Sequence, residues 1–179
     1  MSEEWEILNK IVSLRNMYRR SGVISTKLVG ALTVEVVRSK LAEKGFNLSH
    51  RNVFIEGVPY EIDLLVLKEK VPNNHIIYNI IYKPEDVKAV LEIKFRGVYG
   101  KTALEKIKKT FDSIDRKIKC FYITVSENKN YKYRVTNKNL GYPVFELFTR
   151  TTTLERALKK RDMYPTGDWD RLIKALRRL

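Results

Sequence analysis

Two apolar segments rich in β-branched residues constrain the fold of this chain more than any other feature. Residues 60–67 read YEIDLLVL, and residues 87–95 read VKAVLEIKF. This composition predicts two β-strands, because branched side chains pack well on a pleated surface. The run LLVL is apolar on both faces of its strand, which indicates a strand buried inside a sheet.

Charged side chains interrupt both predicted strands. Side chains at positions i and i+2 share one face of a strand, so Glu92 and Lys94 project together, away from the apolar residues that alternate with them. Asp63 interrupts the earlier strand. If the two strands pair, Asp63 and Glu92 converge on one point. A buried aspartate without a partner is costly, which favours a functional reason for Asp63.

Converging carboxylates have a recognised chemical use. Asp63 and Glu92 would repel each other unless a cation lay between them, and a hard divalent ion held by carboxylates, water and phosphate oxygens meets that need. Lys94 would face the same water or phosphate. This arrangement suits cleavage of a phosphodiester, because the ion polarises the phosphate and lowers the pKa of a water, while the ammonium steadies the developing charge.

The pattern resembles the PD-(D/E)xK nuclease superfamily, which includes Holliday-junction resolvases and restriction-type endonucleases. The resemblance rests on Asp63, on the Glu-x-Lys triplet from Glu92 to Lys94, and on Glu35 in an upstream helix, and it covers roughly residues 25–126. It implies an α/β fold with a restriction-endonuclease-like core, in which helices flank a central mixed β-sheet.

The resemblance also implies roles for these residues. Asp63 and Glu92 correspond to metal ligands, and Lys94 corresponds to the catalytic base or water-positioning cation. Mg²⁺ is the expected ion, and Mn²⁺ can replace it. Glu35 would be the fourth catalytic residue, as an auxiliary ligand or as the residue that orients Lys94.

Glu35 has two interpretations in its helix. A helix from Ser25 or Thr26 to about Lys44 places Glu35 in an apolar stripe, and a glutamate there needs a reason. The stripe consists of Leu28, Ala31, Leu32 and Ala42. The alternative is an ion pair with Arg38 at the i,i+3 spacing.

The charge of the chain favours a polyanionic partner. With 35 Lys and Arg against 21 Asp and Glu, the formal net charge is +14, so we expect DNA as the partner. The residues predicted to contact DNA are Lys101, Lys106, Lys108 and Lys109 in a helix from about 102 to 117, and Tyr131, Lys132, Tyr133 and Arg134 in a basic and aromatic segment. The alternatives are a solvated lysine face and a hairpin edge protected by charges.

Several classes of protein are disfavoured. The single cysteine excludes an intramolecular disulfide and fits a reducing cytoplasm. The chain has no long apolar run, so we expect neither a membrane span nor a signal peptide. Gly100, Lys101 and Thr102 match the end of a P-loop, but Phe95 stands where its first glycine belongs, so we expect no binding of a nucleoside triphosphate.

The chain is predicted to form a single domain over residues 1–179, with extra helices at both termini. The nuclease-like core spans about 25–126, and a C-terminal strand and basic helices follow in 142–179. Residues 68–86 form an insertion between the two strands, with an apolar strand or arm at 76–82.

The favoured function is a metal-dependent endonuclease that hydrolyses phosphodiester bonds of DNA, in a junction or a duplex. Cutting both strands requires two sites, so we expect a two-fold homodimer. The rival is a non-catalytic DNA-binding or assembly protein that retains the nuclease fold, since Ile62 replaces the proline that precedes the acid in the family signature. A third interpretation is an interaction module whose Glu-x-Lys is only a strand-surface pair.

Overall fold

The computed structural model describes residues 2–23, 25–69, 71, 80–98, 100–132, 134–160 and 162–179. In chain order the elements are α1 (Glu3–Arg20), α2 (Thr26–Glu43), β1 (Phe54–Ile55), β2 (Leu64–Leu67), β3 (Ile81–Tyr82), β4 (Val87–Arg96), α3 (Lys101–Asp112), β5 (Lys119–Asn128), α4 (Asn137–Leu140), β6 (Val144–Arg150), α5 (Leu154–Lys160), β7 (Tyr164–Pro165) and α6 (Asp168–Arg177). A short 3₁₀ helix at Pro84–Asp86 leads into β4.

The described residues form a central mixed sheet in the order β2–β4–β5–β6–β7. The middle strands β4, β5 and β6 run parallel, and the outer strands β2 and β7 are antiparallel to their neighbours. Helix α3 crosses over between β4 and β5, as a parallel pair requires. β1 and β3 make a separate parallel pair. The predicted fold class, a central mixed sheet flanked by helices, is confirmed.

Each face of the sheet has its own apolar core. Helices α1, α2, α5 and α6 pack on one face, where Leu8, Val37 and Trp169 are buried. α3, α4 and the β1–β3 pair cover the other face, where Ile55 and Phe111 are buried. All four residues of β2 are buried, which confirms that this strand is apolar on both faces because both faces are covered.

β2 is shorter than predicted. The strand was expected from residue 60, yet it begins at Leu64, so Asp63 precedes the strand instead of lying within it. The reason is that Ile62 pairs with Val53 in an isolated bridge, while the side chain of Asp63 takes the N–H of Ile93. The backbone therefore pairs with Val53 just before Asp63 and with β4 just after it.

The buried face of α2 also differs from the prediction. The buried residues are Thr33, Val34, Val36, Val37 and Leu41. The predicted stripe of Leu28, Ala31 and Leu32 is only half-buried, and Ala42 is exposed. Helix α2 packs between α1 and the sheet, and this docking selects the neighbouring face. Glu35 is therefore not in the middle of a buried face.

The predicted end of α3 was wrong. α3 ends at Asp112, short of residue 117, because the hydroxyl of Ser113 donates to the carbonyl of Thr110 and the next residues turn toward β5. After this turn, β5 extends to Asn128, and Glu127 is completely buried in it.

The hairpin edge weighed as the alternative for the basic and aromatic segment is not formed in its described part, where Tyr131, Lys132 and Arg134 lie in an irregular segment. The side chain of Asn139 donates to the carbonyl of Arg134 and accepts from Thr136 N–H, which caps α4 instead. Tyr133 and most of the predicted arm at 76–82 lie outside the described residues. The division into a 25–126 core and a 142–179 C-terminal part stays a prediction.

Candidate active site

Strand register brings Asp63, Glu92 and Lys94 together. β2 is antiparallel to β4 with Leu64 opposite Leu91, so the residue before β2, Asp63, comes beside Glu92. Lys94 follows two residues along the same face. Its Nζ lies 3.0 Å from Asp63 Oδ2 and 2.6 Å from Glu92 Oε1. The three side chains predicted from the sequence thus meet at one point.

The Asp63 carboxylate is held in place by the backbone of β4. Its Oδ2 accepts a hydrogen bond from Ile93 N–H at 2.8 Å as well as one from the Lys94 ammonium. The backbone carbonyl of Asp63 accepts from Asn52 N–H at 3.2 Å. Both the side chain and the main chain of Asp63 are therefore anchored, which positions its carboxylate at the end of β2.

Burial and charge shift the pKa values at this point. Burial, followed by the charge of Asp63, raises the pKa of Glu92 to about 6. Burial by itself lowers the pKa of Lys94, but the charges of Glu92 and Asp63 outweigh it and raise that pKa to about 12. Lys94 is therefore a cation at neutral pH, and it is shared by two carboxylates.

The donor set fits a hard divalent ion. Oxygens of Asp63 and Glu92 both lie within 3.0 Å of one ammonium nitrogen, so the two carboxylates can reach a single cation. In the described part of the chain no third Asp, Glu, His or Cys completes a cluster of three around a metal position. Water or phosphate oxygens would have to complete the coordination shell, as is usual for Mg²⁺.

Glu35 contacts different partners from those predicted. Its carboxylate lies 2.9 Å from Arg38 Nε and 3.5 Å from Arg51 Nε, and among the described ion pairs it has none with Lys94. The i,i+3 pair weighed as the alternative is thus present. Glu35 lies one turn after Ala31 on α2 and lines a different cavity, although its partner Arg51 is in the wall of the cleft beside Asp63.

A cleft of about 620 Å³ adjoins the candidate site. Asp63 and Lys94 line it together with Lys27 from α2 and Arg51 and Asn52 from the loop before β1. Asn52 has a positive φ of 59°, a conformation that asparagine tolerates better than most residues. Lys27 and Arg51 were not predicted from the sequence, because no local pattern distinguishes them from other surface cations.

The predicted DNA-contacting lysines of α3 differ in their surroundings. The charge of Lys106 opposes the rise in the pKa of Glu92, as the smallest of the contributions to it. Lys101 is 85% exposed, and Lys108 lies 3.5 Å from Asp112. Lys109 is exposed. Of this group, Lys106 has an electrostatic link to the candidate site.

The basic and aromatic segment reaches the same face of the sheet through Arg134. Arg134 Nη1 lies 3.8 Å from Glu146 Oε2. Glu146 of β6 is in register with Thr124 of β5, which is in register with Lys94 of β4. Burial raises the pKa of Glu146. Nothing in the local sequence marked Glu146, because its position follows from strand order. Tyr131 and Lys132 are exposed.

Comparison with known proteins identifies the fold. No protein-family model and no curated protein sequence matches the chain. Among solved structures, the chain is similar to NucC from P. aeruginosa ATCC27853 in its cAAA-bound form, with a TM-score of 0.59 and 13% identity over 99% of this chain and 91% of that chain. NucC from E. coli MS115-1, also cAAA-bound, has a TM-score of 0.59 and 14% identity over 99% of this chain and 90% of that chain.

These similarities define the class of fold. The chain has the NucC fold, which is of the PD-(D/E)xK type, over nearly its whole length. The resemblance stated from Asp63, Glu92 and Lys94 is confirmed at the level of the fold. At 13 to 14% identity, the similarity defines the architecture and leaves the activity to the chain's own residues.

The failed P-loop spacing concerns nucleoside triphosphates, whereas both NucC structures hold a different nucleotide ligand, cAAA. In the part of the chain that the structure describes, no helix has the length and apolar character to cross a bilayer.

Proposed function

We propose that the chain is a metal-dependent endonuclease that hydrolyses phosphodiester bonds of DNA. The observation that carries this proposal is that carboxylate oxygens of Asp63 and Glu92 both lie within 3.0 Å of Lys94 Nζ. A surface pair of a bare interaction module would not need an aspartate from a second strand. The nuclease-type fold over nearly the whole chain supports the same conclusion.

Asp63 and Glu92 would hold Mg²⁺, or Mn²⁺ in its place. When bound, the ion would polarise the phosphate and lower the pKa of a water. The Lys94 ammonium contacts both carboxylates, and their charges raise its pKa. We therefore favour Lys94 as the cation that positions the water and stabilises the negative charge of the transition state over Lys94 as the base.

DNA is the substrate that the charges support. The net charge of +14 favours a polyanion, and Lys27, Arg51 and Lys106 surround the candidate site. Lys101, Lys108 and Lys109 extend the positive charge along α3. A two-fold homodimer that cuts both strands, and a cytoplasmic location, belong to the same proposal.

The test is cleavage of labelled duplex, four-way junction and single-stranded DNA with Mg²⁺, with Mn²⁺ and with chelator. Each reaction is run with and without cAAA, since the similar structures were solved with it bound. We expect Asp63→Asn, Glu92→Gln and Lys94→Met each to lower the cleavage rate by about 10²-fold or more. The matched controls Asp170→Asn and Lys117→Met change exposed residues and should cleave like the parent.

The rival function has its own outcome in this experiment. A parent chain that binds DNA but cuts none of the substrates with either ion would be a non-catalytic DNA-binding or assembly protein. Cleavage that survives Asp63→Asn and Lys94→Met would contradict the proposed site even if the chain is a nuclease.

A further inference from the structure

A second cavity, of about 660 Å³, adjoins the cleft of the candidate active site. We call it the α1–α2 pocket, after the helices that form most of its wall. The pocket and the cleft share four wall residues, which are Leu28, Gly30, Lys94 and Phe95. A ligand bound beside Lys94 can therefore extend from the cleft into the pocket without leaving the protein surface.

The pocket is positively charged and contains one acid. Arg15, Arg19, Lys94 and Arg96 line it, against Glu155 alone among the described residues. Glu155 Oε1 lies 3.0 Å from Arg15 Nη2 and 3.1 Å from Arg96 Nη2. One carboxylate oxygen thus pairs with two guanidinium groups, which come from α1 and β4. A phosphate, which has more oxygens for guanidinium groups to pair with, is the natural competitor for them.

The rest of the wall is mainly apolar and aromatic, with Ser25 and Thr26 as its polar residues. Tyr18 and Phe95 contribute rings, and Val29 and Leu32 contribute aliphatic surface. Cavities that bind small ligands generally have volumes of roughly 300–1,000 Å³ and mostly apolar walls with a few charged groups. A nucleotide combines an anionic phosphate with a flat base, so its chemistry matches both parts of this wall.

Gly30 lies on the boundary between the pocket and the cleft. It is in the interior of α2. Apart from adjacent residues and the nearby backbone of α2, no atom lies within 4 Å of the place where a Cβ on Gly30 would be. Neither packing nor backbone conformation therefore requires glycine, although glycine costs a helix about 1 kcal/mol relative to alanine. Its effect on the structure is to leave the passage between the two cavities open.

We propose that the α1–α2 pocket binds the nucleotide that adjoins the phosphate held at Asp63, Glu92 and Lys94. Its base leaves the stack and packs against Tyr18, and its phosphate displaces Glu155 from Arg15 and Arg96. Extrusion of a base costs least in single-stranded or damaged DNA, so the pocket would favour such substrates. This inference rests on the proposed function.

The first test compares Gly30→Leu with Gly30→Ala in an Asp63→Asn background, which prevents cleavage. Fluorescence anisotropy gives the affinity of each chain for a short single strand and for the same strand without its bases. We expect the Gly30→Ala chain to prefer the base-bearing strand by about tenfold or more. The Gly30→Leu side chain fills the passage, so that preference should fall by about tenfold, because affinity for the base-bearing strand falls more than affinity for the abasic strand.

A second test uses Glu155. Glu155→Gln removes the anion that competes for Arg15 and Arg96, so it should tighten binding of both strands several-fold. Glu85→Gln is the matched control, since it makes the same change of charge at an exposed position before the amino end of β4. Equal effects of the two substitutions, or weaker binding by Glu155→Gln, would contradict the proposal that a phosphate displaces Glu155 from Arg15 and Arg96.

The outcomes separate this inference from the proposed function. Suppose that the parent never cleaves DNA but Gly30→Leu abolishes the preference for the base-bearing strand. This result would support the proposed pocket and reject the proposed hydrolysis. Cleavage by the parent together with undiminished base preference in Gly30→Leu would reject the pocket alone. Absence of DNA binding by the parent would reject both. Thermal unfolding of every variant checks that it is folded.

Discussion

At the scale of single residues, Gly97 and Gly30 have opposite surroundings. A Cβ added to Gly97 would lie 1.9 Å from Glu127 Oε2, whereas one added to Gly30 would meet open space. Glu127 is completely buried, and its Oε1 accepts from Asn128 N–H at 2.9 Å, so the carboxylate has little freedom to move. Gly97 is therefore required by packing, and Gly30 is not.

This contrast predicts opposite effects of the same substitution. Gly97→Ala should lower the free energy of unfolding by about 1–3 kcal/mol, because the methyl group displaces a buried carboxylate. Gly30→Ala should raise the free energy of unfolding by up to about 1 kcal/mol, through helix propensity. Urea unfolding of both variants and the parent measures the differences. A neutral Gly97→Ala would mean that Glu127 relocates without cost.

At the scale of elements, two glutamates of α1 join this helix to the amino end of α6. Trp169 N–H donates to Glu4 Oε1 at 3.3 Å, and Trp169 Nε1 donates to Glu3 Oε2 at 2.8 Å. Free N–H groups at a helix start favour an acceptor there. Burial nevertheless raises the pKa of Glu4, with opposing hydrogen bonds from the backbone of Trp169 and Gly167. Ionisation of Glu4 is therefore less favourable in the folded protein than in the unfolded chain.

The sign of this shift sets a pH dependence. Because the folded pKa of Glu4 lies above the unfolded value, its contribution to stability is present at low pH and is lost as pH rises through the folded pKa. Glu4→Gln keeps an acceptor oxygen and does not titrate. Relative to the parent, this variant should gain stability between about pH 3 and pH 7. Chemical unfolding across that range measures the gain.

The matched control for that experiment is Glu105→Gln, which changes an exposed glutamate of α3. A Glu4→Gln chain whose stability relative to the parent falls with rising pH would show that the hydrogen bonds from Trp169 and Gly167 outweigh burial. An equal gain in both variants would trace the effect to net charge instead.

At the scale of the whole molecule, cations from distant parts of the chain gather around the carboxyl end of β4. Arg15 comes from α1, Lys27 from α2, Arg51 from the loop before β1, and Arg96 from β4 itself, and all four line the pocket or the cleft. With a net charge of +14, this arrangement directs a positive field toward the candidate site.

DNA binding should accordingly depend steeply on salt. The logarithm of affinity should fall linearly with the logarithm of salt concentration, and Lys106→Ala should reduce the slope by about 1, because one phosphate contact is lost. Lys117→Ala, which removes an exposed cation before the amino end of β5, should leave the slope unchanged. Equal slopes for parent and Lys106→Ala would show that Lys106 does not contact phosphate.

Alternation of side chains along strands is a local property, and it was enough to predict how Glu92 and Lys94 project. The same pattern, with Asp63, indicated the fold class that the structure and its similarity to NucC confirm. The exact start of β2 was not predictable, because it depends on a choice between two strand partners for residues around Ile62.

The sequence by itself determined which strands are buried and which charged side chains share a face, since both follow from the order of neighbouring residues. Only the tertiary structure decided that Glu35 also pairs with Arg51, that Glu146 lies in register with Lys94 through Thr124, and that residues 15, 96 and 155 line one pocket. The physical reason is that these contacts depend on how helices dock and in which order strands pair, and no local periodicity records either.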